Sequence, residues 1–196
     1  MSVSSPPASG HASLSPSPWI VRYAHLVAAG ARLLDVASGH GRHARFFASR
    51  GCRVLAVDRD AGALASLARV AGVETAVVDL EGDEWPLAGE RFDAIVVANY
   101  LHRPLFPNLL AALADDGTLL YETFARGNEI YGRPSNPAFL LEAGELLRVA
   151  ERRLQVVAFE EGRATCEGRD RVVQRMAAVG LGRARPLALP PEGPPT

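Results

Sequence analysis

The chain has 196 residues, 48% of them hydrophobic, and a formal net charge of −1. That is enough for one domain with a full core and short tails, and too little charge for a general nucleic-acid or membrane surface. All 21 basic residues are arginine, which excludes a Schiff-base lysine and a P-loop lysine together.

Residues 1–17 are rich in Ser, Pro and Ala and read as a disordered N-terminal tail. A short amphipathic helix is predicted from Trp19 to about Ala29, then an apolar strand, "ARLLDVA", and a glycine turn. A helix follows near His43–Arg50, a strand at "CRVLAVD", a helix over Ala61–Val70 and a strand at "VETAVVDL". "RFDAIVVAN" is unpunctuated and apolar, as a central strand covered on both faces should be. Pro104–Leu113 reads as a helix, "GTLLYETF" as a fifth strand and Phe139–Ala150 as a helix. "LQVVAFEEG" and "RDRVVQRMAAVG" read as a closing hairpin, and residues 186–196 as a Pro-rich tail. Strands alternating with helices predict an α/β, Rossmann-like, doubly wound and mostly parallel sheet with helices on both faces. The two consecutive final strands predict an antiparallel edge. One domain is expected over 18–185.

Cys52 and Cys166 lie far apart and in no metal spacing, as expected of free thiols in a reducing cytosol. No secretory signal pattern is visible at the start, and no apolar run approaches the roughly 20 residues of a membrane span. A cytoplasmic protein without a metal site or a membrane or nucleic-acid partner is expected, as a monomer or homodimer.

"LLDVASGHGRHA" (33–44) matches the pattern G-x-G-x-x-A. Gly39 and Gly41 let backbone approach a ligand closely, and Ala44 lets the next helix pack on the strand. Asp58 ends the second strand, where an acid accepts hydrogen bonds from ribose hydroxyls. NAD and S-adenosylmethionine (SAM) sites share all of this. Two further acids separate them. Asp35 ends the first strand, where a pyrophosphate would meet like charge in a partly desolvated cleft. SAM carries an ammonium and a sulfonium and no phosphate, so the same carboxylate attracts it. Asp79 ends the third strand, placed to accept the adenine amino group, with the Leu80 N–H aimed at a ring nitrogen. Ala37, Arg59 and Asn99, beside these acids and after the fourth strand, complete the expected cofactor-binding set.

"LLDVASGHGRHARFFASRGCRVLAVDRD", "VVDLE" and "FDAIVVANYLHR" resemble the successive motifs of the class I SAM-dependent methyltransferases. The resemblance runs from about Trp19 to Val179. Ser38 stands where that class often has Cys or Gly, so a small residue is kept. "NPAFLLEAGELL" with "LQVVAFEEG" resembles the tellurite-resistance (TehB-like) group within it. The resemblance implies a seven-stranded sheet with the last strand antiparallel, Asp58 on ribose and Asp79–Leu80 on adenine. It also suggests a soft nucleophile, such as a chalcogen oxyanion or a thiol, as the small-molecule methyl acceptor.

Ligands bind outside the carboxyl ends of parallel strands, so acceptor residues should follow the fourth and fifth strands. Tyr100, His102 and Arg103 form a polar–aromatic cluster there. His102 is either a general base or a partly exposed histidine ahead of a proline-initiated helix. The segment Tyr121–Pro137 is long and polar and is expected to fold over the cofactor, offering Glu122, Thr123, Asn128, Tyr131 and Arg133. Arg133 suits an anionic acceptor. His102, Tyr100 and Arg133 are the expected catalytic residues. His40 and His43 read as first-turn helix residues, and Trp19 as a staple for the first helix or a lid. Two alternatives stay open: an NAD-dependent oxidoreductase and a non-catalytic SAM-binding module.

Overall fold

Apolar residues alternate between two faces along the central strands, and each face receives its own helices. In the computed structural model, which describes residues 15–82, 84–166, 168–184, 187, 189 and 190, the strands are β1 (Arg32–Val36), β2 (Arg53–Asp58), β3 (Val73–Val77), β4 (Phe92–Ala98), β5 (Leu113–Phe124), β6 (Leu154–Cys166) and β7 (Arg169–Gly180). They form one seven-stranded sheet in the order β3-β2-β1-β4-β5-β7-β6. β1 to β5 pair in parallel, and β7 runs antiparallel between β5 and β6. This is the predicted doubly wound sheet with an antiparallel edge.

Leu33, Ala94, Val96 and Leu120 enter one core with α1 (Pro18–Tyr23), α2 (Arg42–Ser49) and α3 (Ala61–Ala65). Their neighbours Leu34, Ile95, Val97 and Tyr121 enter the other, with α4 (Phe106–Ala112) and α5 (Glu145–Ala150). A period of two feeds both layers because each strand is covered on both sides.

The helices are shorter than predicted, and their ends have local causes. α1 gives way to a 3₁₀ turn at Ala24–Leu26, where the Leu26 carbonyl turns to accept the Thr118 hydroxyl at 2.9 Å. Within the expected helix 139–150, residue 141 is instead bridged to Ala125, with Leu141 N–H donating to Phe124 and Arg126 N–H to Leu141. α5 therefore starts only after Gly144. β5 begins at Leu113, four residues before Gly117, and β6 runs to Cys166, past the expected end at Gly162.

The expected N-terminal tail ends short of Ser17, which is 3% exposed and hydrogen-bonded into the domain. Residues 1–14 lie outside the described residues, as does most of 186–196. Within the latter stretch, Leu187 packs against the α1-side core. Among the described residues no helix is long and apolar enough to cross a membrane.

The turn after β1 needs its two glycines for different reasons. Both have left-handed backbone, Gly39 at φ +53 and Gly41 at φ +71. A Cβ on Gly39 would meet nothing within 4 Å, whereas one on Gly41 would collide with the Leu67 side chain under α2. Gly41 is thus a packing requirement as well as a turn residue, and Gly39 faces open space. Urea unfolding checks this: Gly41→Ala should lose about 1–3 kcal/mol more than Gly39→Ala, the cost of overpacking added to a shared backbone cost.

Candidate active site

Asp35 is the group around which the site is organised. It lies in β1, 1% exposed, on the α2 side of the sheet, and its Oδ2 has no hydrogen-bond partner among the described residues. Burial pushes its pKa up to about 7, against the lowering effects of the Ala44 N–H and the Arg42 guanidinium; Asp58 adds to the rise. It forms part of a cleft of about 720 Å³ at the carboxyl ends of β1 and β4. Sheet order reverses between those two strands, which is where open α/β sheets place ligands.

The glycine turn forms one wall. Ala37, Gly39 and Gly41 line the cleft, and Asp58 holds the turn in place. Asp58 Oδ2 accepts the Gly39 N–H at 2.8 Å and Oδ1 accepts the Asp60 N–H at 2.9 Å. Asp58 therefore shapes the turn and retains lone pairs for a further donor. Ala37 (φ +50) and Asn99 (φ +58), just past β1 and β4, are non-glycine residues in left-handed backbone. Strain of this kind collects at ligand sites, and Asn99 lines the same cleft.

A smaller pocket of about 240 Å³ adjoins through Ala37 and is lined by Asp58, Arg59, Asp79, Leu80 and Tyr100. Asp79 follows β3 by two residues and accepts the Glu81 N–H at 2.9 Å, which fixes its carboxylate beside the buried Leu80. The three acids named from the sequence thus border two neighbouring pockets.

Far from the glycine turn, the cleft is bounded by the loop after β5 and the tip of the β6–β7 hairpin. Asn128, Tyr131 and Arg133 come from the loop, and Cys166, Arg169, Asp170 and Arg171 from the hairpin. Asn128 ties these elements together: its Nδ2 donates to the Pro134 carbonyl at 3.0 Å and its Oδ1 accepts the Val172 N–H at 3.1 Å. Arg42, Arg133, Arg169 and Arg171 give the cleft four guanidiniums against the carboxylates of Asp35 and Asp170. The hairpin residues were missed at the sequence level. The dense "RATCEGRDR" was a signal, but only the extension of β6 to Cys166 carries it over the site.

The expected catalytic trio is divided. Arg133 lines the main cleft. Tyr100 lines the 240 Å³ pocket and a third of about 220 Å³, which also contains Thr123 and Phe139. Burial raises the Tyr100 hydroxyl pKa, and Glu81 raises it further, so the phenol stays protonated, its hydroxyl 3.4 Å from Glu81. His102 is half-buried, caps the 3₁₀ turn Arg103–Leu105 and lines none of these three pockets. The structure therefore does not bring it to the cleft as a general base. The turn takes a course the local sequence does not reveal. Arg103 is a clamp: it pairs with Glu145 at 2.8 Å and donates to the Ala138 and Leu140 carbonyls.

His43 does line the cleft, yet it is 3% exposed and its Nε2 accepts the Ser17 N–H at 3.2 Å. Burial and the Arg42 charge pull its pKa down to about 3, so it stays neutral.

Comparison with known proteins fits this geometry. Residues 33–117 match the family model of a methyltransferase domain. No curated protein matches the chain. Among solved structures, TehB from Haemophilus influenzae aligns with a TM-score of 0.69 at 18% identity, covering 82% of this chain and 61% of that one. This chain therefore spans about three-fifths of that protein's length. A TehB-like SAM-dependent methyltransferase from Corynebacterium glutamicum aligns with a TM-score of 0.59 at 23% identity, covering 80% and 84% of the two chains. The 1,6-didemethyltoxoflavin-N1-methyltransferase of Burkholderia thailandensis, with S-adenosylhomocysteine bound, aligns with a TM-score of 0.61 at 23% identity, covering 82% and 75%. The shared fold is that of SAM-dependent methyltransferases.

The residues present suit that cofactor. An orphaned buried carboxylate is costly on its own, and a ligand cation beside it removes the cost. The sign is fixed by the pKa. A folded-state value raised from 3.8 to about 7 means that stability is greatest at acid pH and is lost as pH rises through 7. The rise corresponds to on the order of 4 kcal/mol. Asp35→Asn should therefore melt higher than the wild type at pH 8 without ligand. The same variant should lose the melting shift produced by S-adenosylhomocysteine. Both are read by thermal scanning at pH 5 and pH 8.

Proposed function

We propose that this chain, a class I SAM-dependent methyltransferase by domain and by fold, methylates a small anionic acceptor with a soft nucleophilic atom, such as a chalcogen oxyanion or a thiolate. The observation that carries this reading is the cleft's charge: Arg42, Arg133, Arg169 and Arg171 line it, against the two carboxylates of Asp35 and Asp170.

SAM supplies a methyl group on a sulfonium, whose departure leaves a neutral thioether that needs no protonation. In this reading Asp35 holds the ammonium of the methionine moiety, and the glycine turn from Ala37 to Gly41 cradles the chain behind it. Asp58 receives the ribose hydroxyls, and Asp79 with the Leu80 N–H receives the adenine in the adjoining pocket. Arg59 and Asn99 border these positions.

On the acceptor side Arg133 and Arg169 supply forked donors that suit an oxyanion. Catalysis is then mostly alignment of the nucleophile with the methyl carbon. A base is dispensable if the acceptor arrives with a free lone pair. His43 already spends Nε2 on Ser17, Tyr100 stays protonated, and Asp35 is committed to the cofactor. The likeness to TehB and a TehB-like enzyme supports the methyltransferase fold; the chalcogen oxyanion comes from the resemblance of the sequence motifs to the tellurite-resistance group. The two free thiols, Cys52 and Cys166, suit a reducing cytosol.

The NAD reading is disfavoured by the position of Asp35, where a pyrophosphate would meet a buried carboxylate. Thermal scanning should show stabilisation by SAM and S-adenosylhomocysteine and none by NAD(H). With SAM and selenite or tellurite, S-adenosylhomocysteine should accumulate. Arg133→Ala should raise the acceptor KM about tenfold, the loss of one charge-assisted contact, while the S-adenosylhomocysteine Kd holds. No product with either oxyanion or with thiolates would refute the acceptor class.

A further inference from the structure

Glu122 is 0% exposed near the end of β5 and lies behind the cleft, not in it. Such a carboxylate is expensive unless paired, and here its two oxygens serve different partners. Oε2 is 2.6 Å from Arg175 Nε, an ion pair turned out of hydrogen-bond alignment. Arg175 has a second carboxylate within reach, Glu160 at 3.4 Å, on the exposed side. Oε1 accepts the Ser17 hydroxyl at 3.0 Å and sits 3.8 Å from Arg171 Nη2.

Arg171 is the member of this group that reaches the cleft. Among the described residues its one carboxylate within 4 Å is Glu122, and its Nε is buried without an acceptor. A guanidinium has five donors. This one is anchored loosely and keeps donors in hand.

Ser17 explains the looseness. Its hydroxyl fixes Oε1, and its N–H is fixed in turn by His43 on α2. With Oε1 held there, the carboxylate stays short of full contact with Arg171.

We infer that Glu122 is a positioning residue whose carboxylate is divided by Ser17, so that Arg171 is set at the acceptor cleft without being neutralised. The segment preceding α1 is thereby part of the acceptor site. Its consequence for catalysis rests on the anionic-acceptor reading; the hold on Arg171 does not. Removing the Ser17 hydroxyl frees Oε1 to close on Arg171 and withdraw it. Removing the Glu122 charge frees Arg171 from its anchor. Both changes weaken acceptor binding, by opposite movements of the same guanidinium.

The test compares the full-length wild type, Ser17→Ala and Glu122→Gln. Phenylglyoxal modification of Arg171 is followed by peptide mass spectrometry, together with the KM for selenite and the Kd for S-adenosylhomocysteine. Arg171 should be modified several-fold faster in Glu122→Gln and several-fold slower in Ser17→Ala. Both variants should raise the selenite KM about tenfold, as expected when a charge-assisted contact is lost, with S-adenosylhomocysteine binding unchanged. Equal modification in all three proteins overturns the inference whatever the KM values do, and so does a shift in the same direction in both variants. Opposite shifts in a wild type that turns over neither selenite nor tellurite would uphold the hold on Arg171 and refute the oxyanion reading alone.

Discussion

A carboxylate buried in the middle of a parallel sheet, with one oxygen unpaired, is among the least comfortable groups a fold can contain. Asp35 occupies that position where β1 and β4 diverge: it borders the cleft, and one of its oxygens is buried with no donor among the described residues. Leu34 and Val36 on either side enter the opposite core, which locks β1 in register and prevents the carboxylate from turning out to solvent. The turn that follows must leave the strand sharply. It does so with left-handed backbone at Ala37, Gly39 and Gly41, secured by the Asp58 carboxylate. Strain and desolvation at this corner are thus local, and the packed layers on both faces of the sheet offset them.

The acceptor side is built from distant parts of the chain and is held by polar contacts more than by apolar packing. Asn128 links the loop after β5 to β7 and to Pro134, Arg103 clamps the far end of that loop, and Arg126 pairs with Glu142 across it. A loop held at three places presents Tyr131 and Arg133 in a preorganised way. The cofactor corner and the acceptor wall therefore differ in character. One is a strand–turn–helix unit read from contiguous sequence, and the other is a convergence of loop and hairpin tip.

That difference sets what the sequence could reveal. The central strands were legible because doubly covered strands are apolar throughout, and Asp35 and Asp58 fall within one residue of the ends of β1 and β2; Asp79 lies two residues past the end of the exposed edge strand β3, which stops short of the predicted "VETAVVDL". Helix ends were less legible. The Leu26 carbonyl is taken by Thr118, 92 residues away, and residue 141 by the strand end at Ala125, so tertiary partners overrode local propensity. Whether His102 would reach the cleft was open in the sequence, because spacing fixes the element a residue belongs to but not the direction in which an irregular turn presents it. Ser17 was placed in a tail on composition, yet its two hydrogen bonds go to side chains 26 and 105 residues away. Arg169 and Arg171 were not singled out within the closing hairpin, because nothing local shows that β6 is long enough to carry them over the cleft.

If Asp35 is the cation-binding group, cofactor binding must be linked to its ionisation. With the free-protein pKa near 7, about half of the molecules carry a proton on Asp35 at neutral pH, and a bound ammonium would drive it off. Calorimetric titration with S-adenosylhomocysteine at pH 7, in two buffers of different ionisation enthalpy, measures this proton directly. The expected result is the release of about half a proton per ligand bound, rising at pH 6 and vanishing at pH 9. Binding heats that do not depend on the buffer at any of these pH values would show that the carboxylate at the centre of the site does not meet the cofactor's charge.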